Sequence, residues 1–151
     1  MSDYSNKEIL EFINGNGRLE TVDFSGKDLT GLDLSSETVR QVRDDIEGHP
    51  RWWSPRRKGL KLDRAQLQRA NLRGSDLSQA SLTHADLRAA DLGGAILKNT
   101  DLSRADLKRA FLWCSNLEGA DLWSADLQGA DLELANLKHV NLESANLAAA
   151  N

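Results

Sequence analysis

Leucine returns at every fifth position from Leu62 to Leu147, eighteen times in succession and without exception. We call these leucines the repeat centres. The position two before a centre, followed in steps of five from residue 65 to residue 150, carries fourteen Ala, two Ser, one Thr and one Val. The next position, followed in steps of five from residue 66 to residue 151, carries eight Asp and six Asn, and the four exceptions are Gln66, Ser81, Ile96 and Phe111.

A period of five does not suit a regular helix or a regular strand. An α-helix turns by about 100° per residue, so every fifth residue drifts around the helix and forms no stripe. A strand alternates its faces with a period of two, so centres five apart would fall on opposite faces. A short extended piece followed by a turn satisfies the pattern, because the small residue and the leucine then point the same way. The sequence therefore predicts a solenoid with leucine and small residues inside and the Asp or Asn outside, next to the turn.

The repeated motif resembles that of the pentapeptide repeat family. Segments 105–109 (Ala-Asp-Leu-Lys-Arg) and 120–124 (Ala-Asp-Leu-Trp-Ser) match the family consensus, and the resemblance covers residues 60–151 fully and 22–36 more loosely. It implies an all-β solenoid, a right-handed quadrilateral β-helix with four repeats, or twenty residues, per coil. It also implies a bacterial source.

The N-terminal third departs from the regular repeat. Ser5 and Glu8 form a capping box before an apolar run, which predicts a short helix within residues 1–21 that caps the first coil. Residues 22–36 are expected to form the first, loosely matching repeats, although the pattern places Lys27 at an inward position.

An insertion separates these early repeats from the regular ones. Centres 34 and 62 are 28 residues apart, which is not a multiple of five, so residues 37–59 are predicted to form a helix and loop that bulge from the first coil. The loop carries two tryptophans, Trp52 and Trp53, and several cations, among them Arg56 and Arg57.

Composition narrows the class of protein. The net charge is −4, from 19 Lys and Arg against 23 Asp and Glu, which is too balanced for a strongly basic nucleic-acid binder or for a wholly acidic DNA mimic. A single cysteine, Cys114, excludes an internal disulfide framework and a multi-cysteine zinc site. With no long apolar run and no secretory signal, we expect a cytoplasmic protein without a membrane span.

The titratable residues do not form a catalytic constellation. Asp86, Asp106 and Asp126 fall into one column of the expected solenoid, but Asp or Asn occupies that position in fourteen of eighteen repeats, which indicates a structural role in the turn. His84 and His139 lie in different columns and have no partner at metal-ligand spacing. We therefore expect no catalytic, cofactor-binding or metal-binding residues, and no enzymatic activity.

Five apolar residues are expected on the outside and close together. Folding the chain at twenty residues per coil brings Leu134 next to Cys114 and places Ile96 around the corner from Phe111 and Trp113. Exposed apolar clusters commonly mark contacts. The cluster is interpreted as an interface with another protein or a second copy, while two alternatives stay open: the insertion 37–59 folds over it, or its apolar character is fortuitous.

Six cations gather on another part of the expected surface, where two carboxylates lie among them. This neighbourhood is interpreted either as a solvated face or as a site for phosphate or an acidic partner. Its members are Arg64, Arg69, Arg88, Arg104, Lys108 and Arg109.

The hypothesis favoured by the sequence is a non-enzymatic interaction or scaffold module that presents the outer walls of a rigid rod to a protein partner or to a second copy. Contact would be made through the apolar cluster or through the C-terminal coil. The family resemblance implies an alternative, because some pentapeptide repeat proteins mimic DNA and bind type II topoisomerases such as gyrase.

Overall fold

Residues 26–30 and 60–151 are described by the computed structural model, and in them the chain winds into a four-sided solenoid. The residue before each centre from Leu62 to Leu127 forms a parallel bridge with the residue twenty positions further on, as in Gln66–Asp86, Asp86–Asp106 and Asp106–Asp126. One coil therefore contains twenty residues and four repeats, as the sequence predicted.

The described residues contain no helix and no strand longer than a single residue. Each repeat contributes one bridging residue to a parallel stack, and the bridging positions are 28 and every fifth residue from 61 to 146. We number the four sides by their centres. Wall 1 contains Leu62, 82, 102, 122 and 142; wall 2 contains Leu67, 87, 107, 127 and 147; wall 3 contains Leu72, 92, 112 and 132; and wall 4 contains Leu77, 97, 117 and 137.

The same set of backbone hydrogen bonds returns in each repeat. The N–H of Leu87 donates to the carbonyl oxygen of Asp106 on the next coil (2.8 Å), and the N–H of Asp106 donates back to Ala85 (2.9 Å). Each corner is closed by a turn, in which the N–H of Ala90 donates to the carbonyl oxygen of Leu87 (3.0 Å). The backbone polar groups are thus satisfied between coils, which fixes the register along the rod.

The second residue after each centre adopts the left-handed conformation. Fourteen of these residues are not glycine, and their φ angles lie between 53° and 61°. This conformation costs an ordinary L-residue roughly 1 kcal/mol, and here the corner requires it whatever the side chain. Sequence patterning predicts the turn but does not reveal this requirement, because Arg, Ala, His and Ser all occupy the position.

Leucine and alanine fill the interior as predicted. All the centres from Leu62 to Leu127 are buried, together with the alanines that precede them. In the coil of residues 132–151, at one end of the solenoid, Leu137 and Leu147 are exposed while Leu132 and Leu142 are partly buried.

The segment 26–30 lies on wall 2, one coil before the repeat that contains Leu67. Leu29 is fully buried, and its N–H donates to the carbonyl oxygen of Gln66 (2.8 Å). Lys27 is exposed, so the expectation of an inward lysine was wrong: its carbonyl oxygen accepts from the Gln66 N–H (2.9 Å) while the side chain stays in solvent. The cap helix expected within 1–21, the rest of repeats 22–36 and the insertion 37–59, with Trp52, Trp53, Arg56 and Arg57, lie outside the described residues.

Three hydroxyl groups replace alanine methyls in the interior. The Ser75 Oγ donates to the carbonyl oxygen of Leu72 (2.6 Å), and the Thr100 Oγ1 donates to that of Leu77 (2.8 Å). The Ser115 Oγ is buried and has no hydrogen-bond partner within the described part of the chain. An unsatisfied buried hydroxyl lowers stability, so Ser115 is a weak point in the core.

Replacing Ser115 with alanine tests this assignment. We expect Ser115→Ala to raise the free energy of unfolding by about 1 kcal/mol, because it removes a buried polar group that has no partner. Ser75→Ala is the matched control, since it removes a hydroxyl that is bonded and should leave stability unchanged or lower. Thermal unfolding followed by circular dichroism measures both, and a lower midpoint for Ser115→Ala than for Ser75→Ala would contradict the assignment.

On the outside, the carboxylate or amide before each centre stabilises the following turn. The Oδ1 of Asp91 accepts the N–H of Gly93 (3.0 Å), and the Oδ1 of Asp121 accepts the N–H of Trp123 (2.9 Å). The bond recurs along the rod wherever Asp or Asn occupies this position, for example at Asn146 with Ala148 (3.1 Å). These contacts explain the preference for Asp and Asn without any catalytic role.

Ion pairs link successive coils on two walls. On wall 2 the Lys108 Nζ lies 2.8 Å from Asp126 Oδ2 and 3.2 Å from Asp106 Oδ2, and on wall 4 the Lys98 Nζ lies 3.0 Å from Glu118 Oε2. The hydrogen bond from Lys108 holds the pKa of Asp126 below its ordinary value, and the one from Lys98 does the same for Glu118. A lowered native pKa means that these carboxylates stabilise the fold at neutral pH and lose that effect as the pH falls through their native pKa values.

We therefore expect the melting temperature to decrease when the pH is lowered below about 4. We expect the decrease to be smaller in the variant Asp126→Asn. The amide keeps the turn hydrogen bond, as Asn146 does in the same column, but it loses the pair with Lys108 and no longer titrates. The variant should be slightly less stable at pH 7 and closer to the wild type at pH 3, measured by thermal unfolding at both values. An equal difference between the two proteins at both pH values would show that the ion pair does not contribute.

Candidate functional site

The filled interior leaves the outer walls as the part of the solenoid that can contact another molecule. Within residues 26–30 and 60–151, no three His, Cys, Asp or Glu side chains gather closely enough to hold a metal ion. The same residues contain no helix with the length and hydrophobicity needed to cross a bilayer. Two surfaces on neighbouring walls are distinctive, one apolar and one cationic.

The apolar patch is centred on wall 3, and we define it by Phe111, Trp113, Leu134 and Ile96. Phe111 bridges Asp91 on the coil before and Asp131 on the coil after, and 48% of its surface is exposed. Its ring therefore replaces a carboxylate in a column where Asp is the neighbour on either side. Because about half of its surface stays in contact with solvent, this side chain gains less from folding than a buried one.

Leu134 and Ile96 extend the patch. Leu134 lies one coil beyond Cys114 in the left-handed corner position, and 79% of its surface is exposed. Ile96 bridges Asp76 and Asn116 on wall 4 and is 39% exposed. The twenty-residue register thus places these side chains on the outside, as the sequence predicted.

Trp113 is half-buried, because part of its ring lies against the protein itself. Gly93, one coil earlier in the same column, leaves room for the ring: a Cβ at Gly93 would come within 2.5 Å of the Trp113 Cε2. Arg73, one coil earlier again, places its guanidinium 4.7 Å from the ring centroid. Trp113 is therefore partly satisfied within the molecule, and Phe111 and Leu134 are the more available side chains.

Cys114 is exposed at the corner between walls 3 and 4, in the left-handed conformation, and forms no disulfide bond. Its thiol is placed beside the patch by register and has no hydrogen-bond partner among the described residues.

The six cations predicted to form one basic face divide into two groups. Arg64 and Arg104 share the corner column that follows wall 1, with His84 between them, and the Arg104 guanidinium lies 4.5 Å from the ring centroid of Trp123. The other four cations belong to wall 2. Arg64 and Arg69 occupy the same position within their repeats but follow different walls, so the two groups of cations lie at different corners.

The wall 2 cations line a groove with a volume of about 750 Å³. The groove forms because long and short side chains alternate along the corner column, with the short residues Ala89 and Gly129 on either side of Arg109. The lining contains no carboxylate: it consists of Thr30, Gln68, Arg69, Arg88, Ala89, Lys108, Arg109, Gln128, Gly129 and Ala149. We call this the cationic groove.

The cations of the groove differ in their pairing. The Arg88 Nη2 lies 2.5 Å from Asp86 Oδ2, and Lys108 is held between Asp106 and Asp126. Partial burial favours the protonated form of Asp86, but hydrogen bonds from Arg88 and Gln68 outweigh it and lower the pKa of that carboxyl. Arg69 and Arg109 take part in no ion pair within the described residues, so theirs are the charges available to a ligand.

Sequence reasoning placed the patch and the six cations by register but missed the residues that shape them. Residues 73, 93 and 113 are twenty apart and therefore form one column. The twenty-residue period alone could have placed Arg73 near Trp113. No sequence pattern marks Gln68, Gln128 or the short residues Ala89, Gly129 and Ala149 as part of a groove.

Comparison with known proteins agrees with this architecture. The family model described as pentapeptide repeats matches with eight copies over residues 61–99, 85–123 and 115–151. A search of curated proteins gave no match.

Several solved structures are similar to the chain. The pentapeptide repeat protein Rfr23 from the cyanobacterium Cyanothece 51142 is 29% identical, with a TM-score of 0.67 over 85% of this chain and 87% of its own. HetL, a pentapeptide repeat protein involved in heterocyst differentiation regulation from Nostoc sp. strain PCC 7120, is 21% identical over 95% of this chain and 92% of its own, with a TM-score of 0.37. QnrB1, a plasmid-mediated fluoroquinolone resistance protein, is 18% identical over 84% of this chain and 71% of its own, also with a TM-score of 0.37.

The family match spans residues 61–151, the same residues in which the structure shows four-repeat coils around a leucine interior. Members of this family form right-handed quadrilateral β-helices, and no catalytic family is indicated for the chain. The protein belongs to the pentapeptide repeat family.

Proposed function

We propose that the protein is a non-enzymatic interaction module that binds a protein partner, or a second copy of itself, through the apolar patch on wall 3. The observation that carries the proposal is Phe111, which is 48% exposed in a column otherwise occupied by Asp and Asn. The fold accepts a carboxylate at this position, and an aromatic ring that stays in water does not make the fold more stable. Its presence is explained by contact with another apolar surface.

The neighbours of Phe111 support the same function. Leu134 and Ile96 are also exposed, and both occupy outward positions where other repeats carry polar or small residues. Trp113 is held flat by Gly93 and Arg73, so it would present a fixed surface to a partner rather than a mobile ring. A rigid scaffold loses little conformational entropy on binding, which favours affinity.

The test is to replace the two most available side chains with residues that the repeat already accepts. In Phe111→Asn with Leu134→Ser, asparagine matches Asn71 in the same column, and serine occupies the equivalent left-handed position at Ser124. We expect the wild type to self-associate or to retain a protein partner and the double variant to lose that association, because its apolar contact area is removed. Sedimentation velocity measures self-association, and affinity capture followed by mass spectrometry measures retention of a partner.

Trp123→Ser is the matched control, because it removes an aromatic residue from wall 1, away from the patch, and Ser103 precedes it in the same column. The control should behave as the wild type in both measurements. Identical behaviour of all three proteins would show that the patch is not an interface.

The charge pattern does not favour DNA mimicry, the mode by which some family members bind topoisomerases. Duplex DNA carries one negative charge per roughly 1.7 Å of axis, whereas the carboxylates of wall 2 follow each other at about 4.8 Å. Arg88 and Lys108 pair with those carboxylates and reduce the negative field further.

We therefore expect no inhibition of DNA supercoiling by gyrase, and no protection of the enzyme from fluoroquinolones. A supercoiling assay with increasing amounts of the protein measures both effects. Inhibition that depends on the protein's concentration would favour the topoisomerase-binding function over the scaffold proposed above.

A further inference from the structure

We propose that the cationic groove on wall 2 binds a short acidic segment of a polypeptide in an extended conformation. This site is separate from the apolar patch, because its lining contains none of the residues that define the patch.

The charge of the groove is positive where a ligand would lie. Four cations line it and no carboxylate does, although Asp86, Asp106 and Asp126 run beside it. Those carboxylates hold the side chains of Arg88 and Lys108 in place. Arg69 and Arg109 have no such partner in the described part of the chain, so their charges are available for a ligand.

The spacing of the cations fits an extended peptide. Arg69 and Arg109 are two coils apart, or about 9.6 Å, and an extended chain covers a similar distance in about three residues. From Gln68 to Ala149 the groove crosses four coil steps, about 19 Å in total, which is room for about six extended residues. The side-chain amide of Gln128 makes no hydrogen bond within the described residues, so it is available to a peptide backbone.

A polypeptide fits this surface better than a nucleic acid. One residue, Ala110, separates Arg109 from the exposed Phe111, so a peptide that leaves the groove towards wall 3 meets an apolar side chain. A polypeptide can offer both charged and apolar side chains, so it suits a surface where cations lie next to an apolar residue.

The experiment measures binding of a fluorescein-labelled glutamate hexamer to the full chain by fluorescence anisotropy. We expect saturable binding that weakens as salt is raised, and no binding of a glutamine hexamer. The double variant Arg69→Ala with Arg109→Ala should bind the glutamate hexamer about tenfold more weakly. Alanine is accepted in this left-handed column at Ala89 and Ala149, so the fold should persist, which thermal unfolding checks.

Arg64→Ser is the matched control, because it removes one arginine from the same repeat position on wall 1, where Ser124 and Ser144 occur in the column. It should change the affinity by less than about twofold. The patch variant Phe111→Asn with Leu134→Ser should still bind the hexamer, so failure of the patch and failure of the groove are distinguished.

Four outcomes would overturn the proposal. The first three are the absence of binding to the glutamate hexamer, equal binding by the wild type and the double arginine variant, and tighter binding of an eight-residue oligothymidylate, which would assign the groove to nucleic acid. Competition by inorganic phosphate at concentrations similar to those of the peptide would also overturn it, by assigning the arginines to a small anion.

Discussion

The hydrogen bonds between successive coils are the constraint on which the rest of the structure depends. Each repeat donates to the coil ahead and to the coil behind, with N···O distances close to 2.9 Å along the rod, as in Leu87 to Asp106 and Asp106 to Ala85. These bonds fix the coil at twenty residues, because a change of one residue would move the leucines of all four walls out of the interior. The leucine core and the hydrogen bonds therefore support one arrangement, and neither permits another register.

That constraint explains how much the sequence could predict. The centres from Leu62 to Leu147 determine the walls, and the walls determine where Phe111, Leu134 and Ile96 lie, so the positions of the patch residues follow from counting. Lys27 was predicted wrongly although the register of its repeat is regular, because Leu29 is buried and Asp28 bridges Gln66, while the long Lys27 side chain lies in solvent instead of filling the small-residue position. The position of Trp113 follows from the count only in part: Gly93 lies in its column and leaves room for the ring, whereas the contact with Arg73 depends on the reach of that side chain across two coils.

The polar residues of wall 2 show how the same side chain acquires different roles by position. Asp86, Asp106 and Asp126 accept turn hydrogen bonds with one oxygen, and with the other they meet Arg88 or Lys108. Exposed ion pairs of this kind contribute little stability individually. Their more important effect is to hold two cations in a defined place, so that the surface keeps its shape before any ligand arrives.

The left-handed corners give the outer surface its capacity to vary. Since every corner residue has the same backbone conformation, with φ near 57° at both Arg64 and Ala149, exchange of one side chain for another leaves the coil unchanged. The height of the surface is then set by side-chain length alone: Arg69 and Arg109 rise on either side of Ala89, and Gly129 lowers the next step. In a globular core such exchanges would alter packing and cost stability. A solenoid separates the residues that make the fold from those that shape its surface, so a groove or a patch can arise at a corner without any change in the interior that supports it.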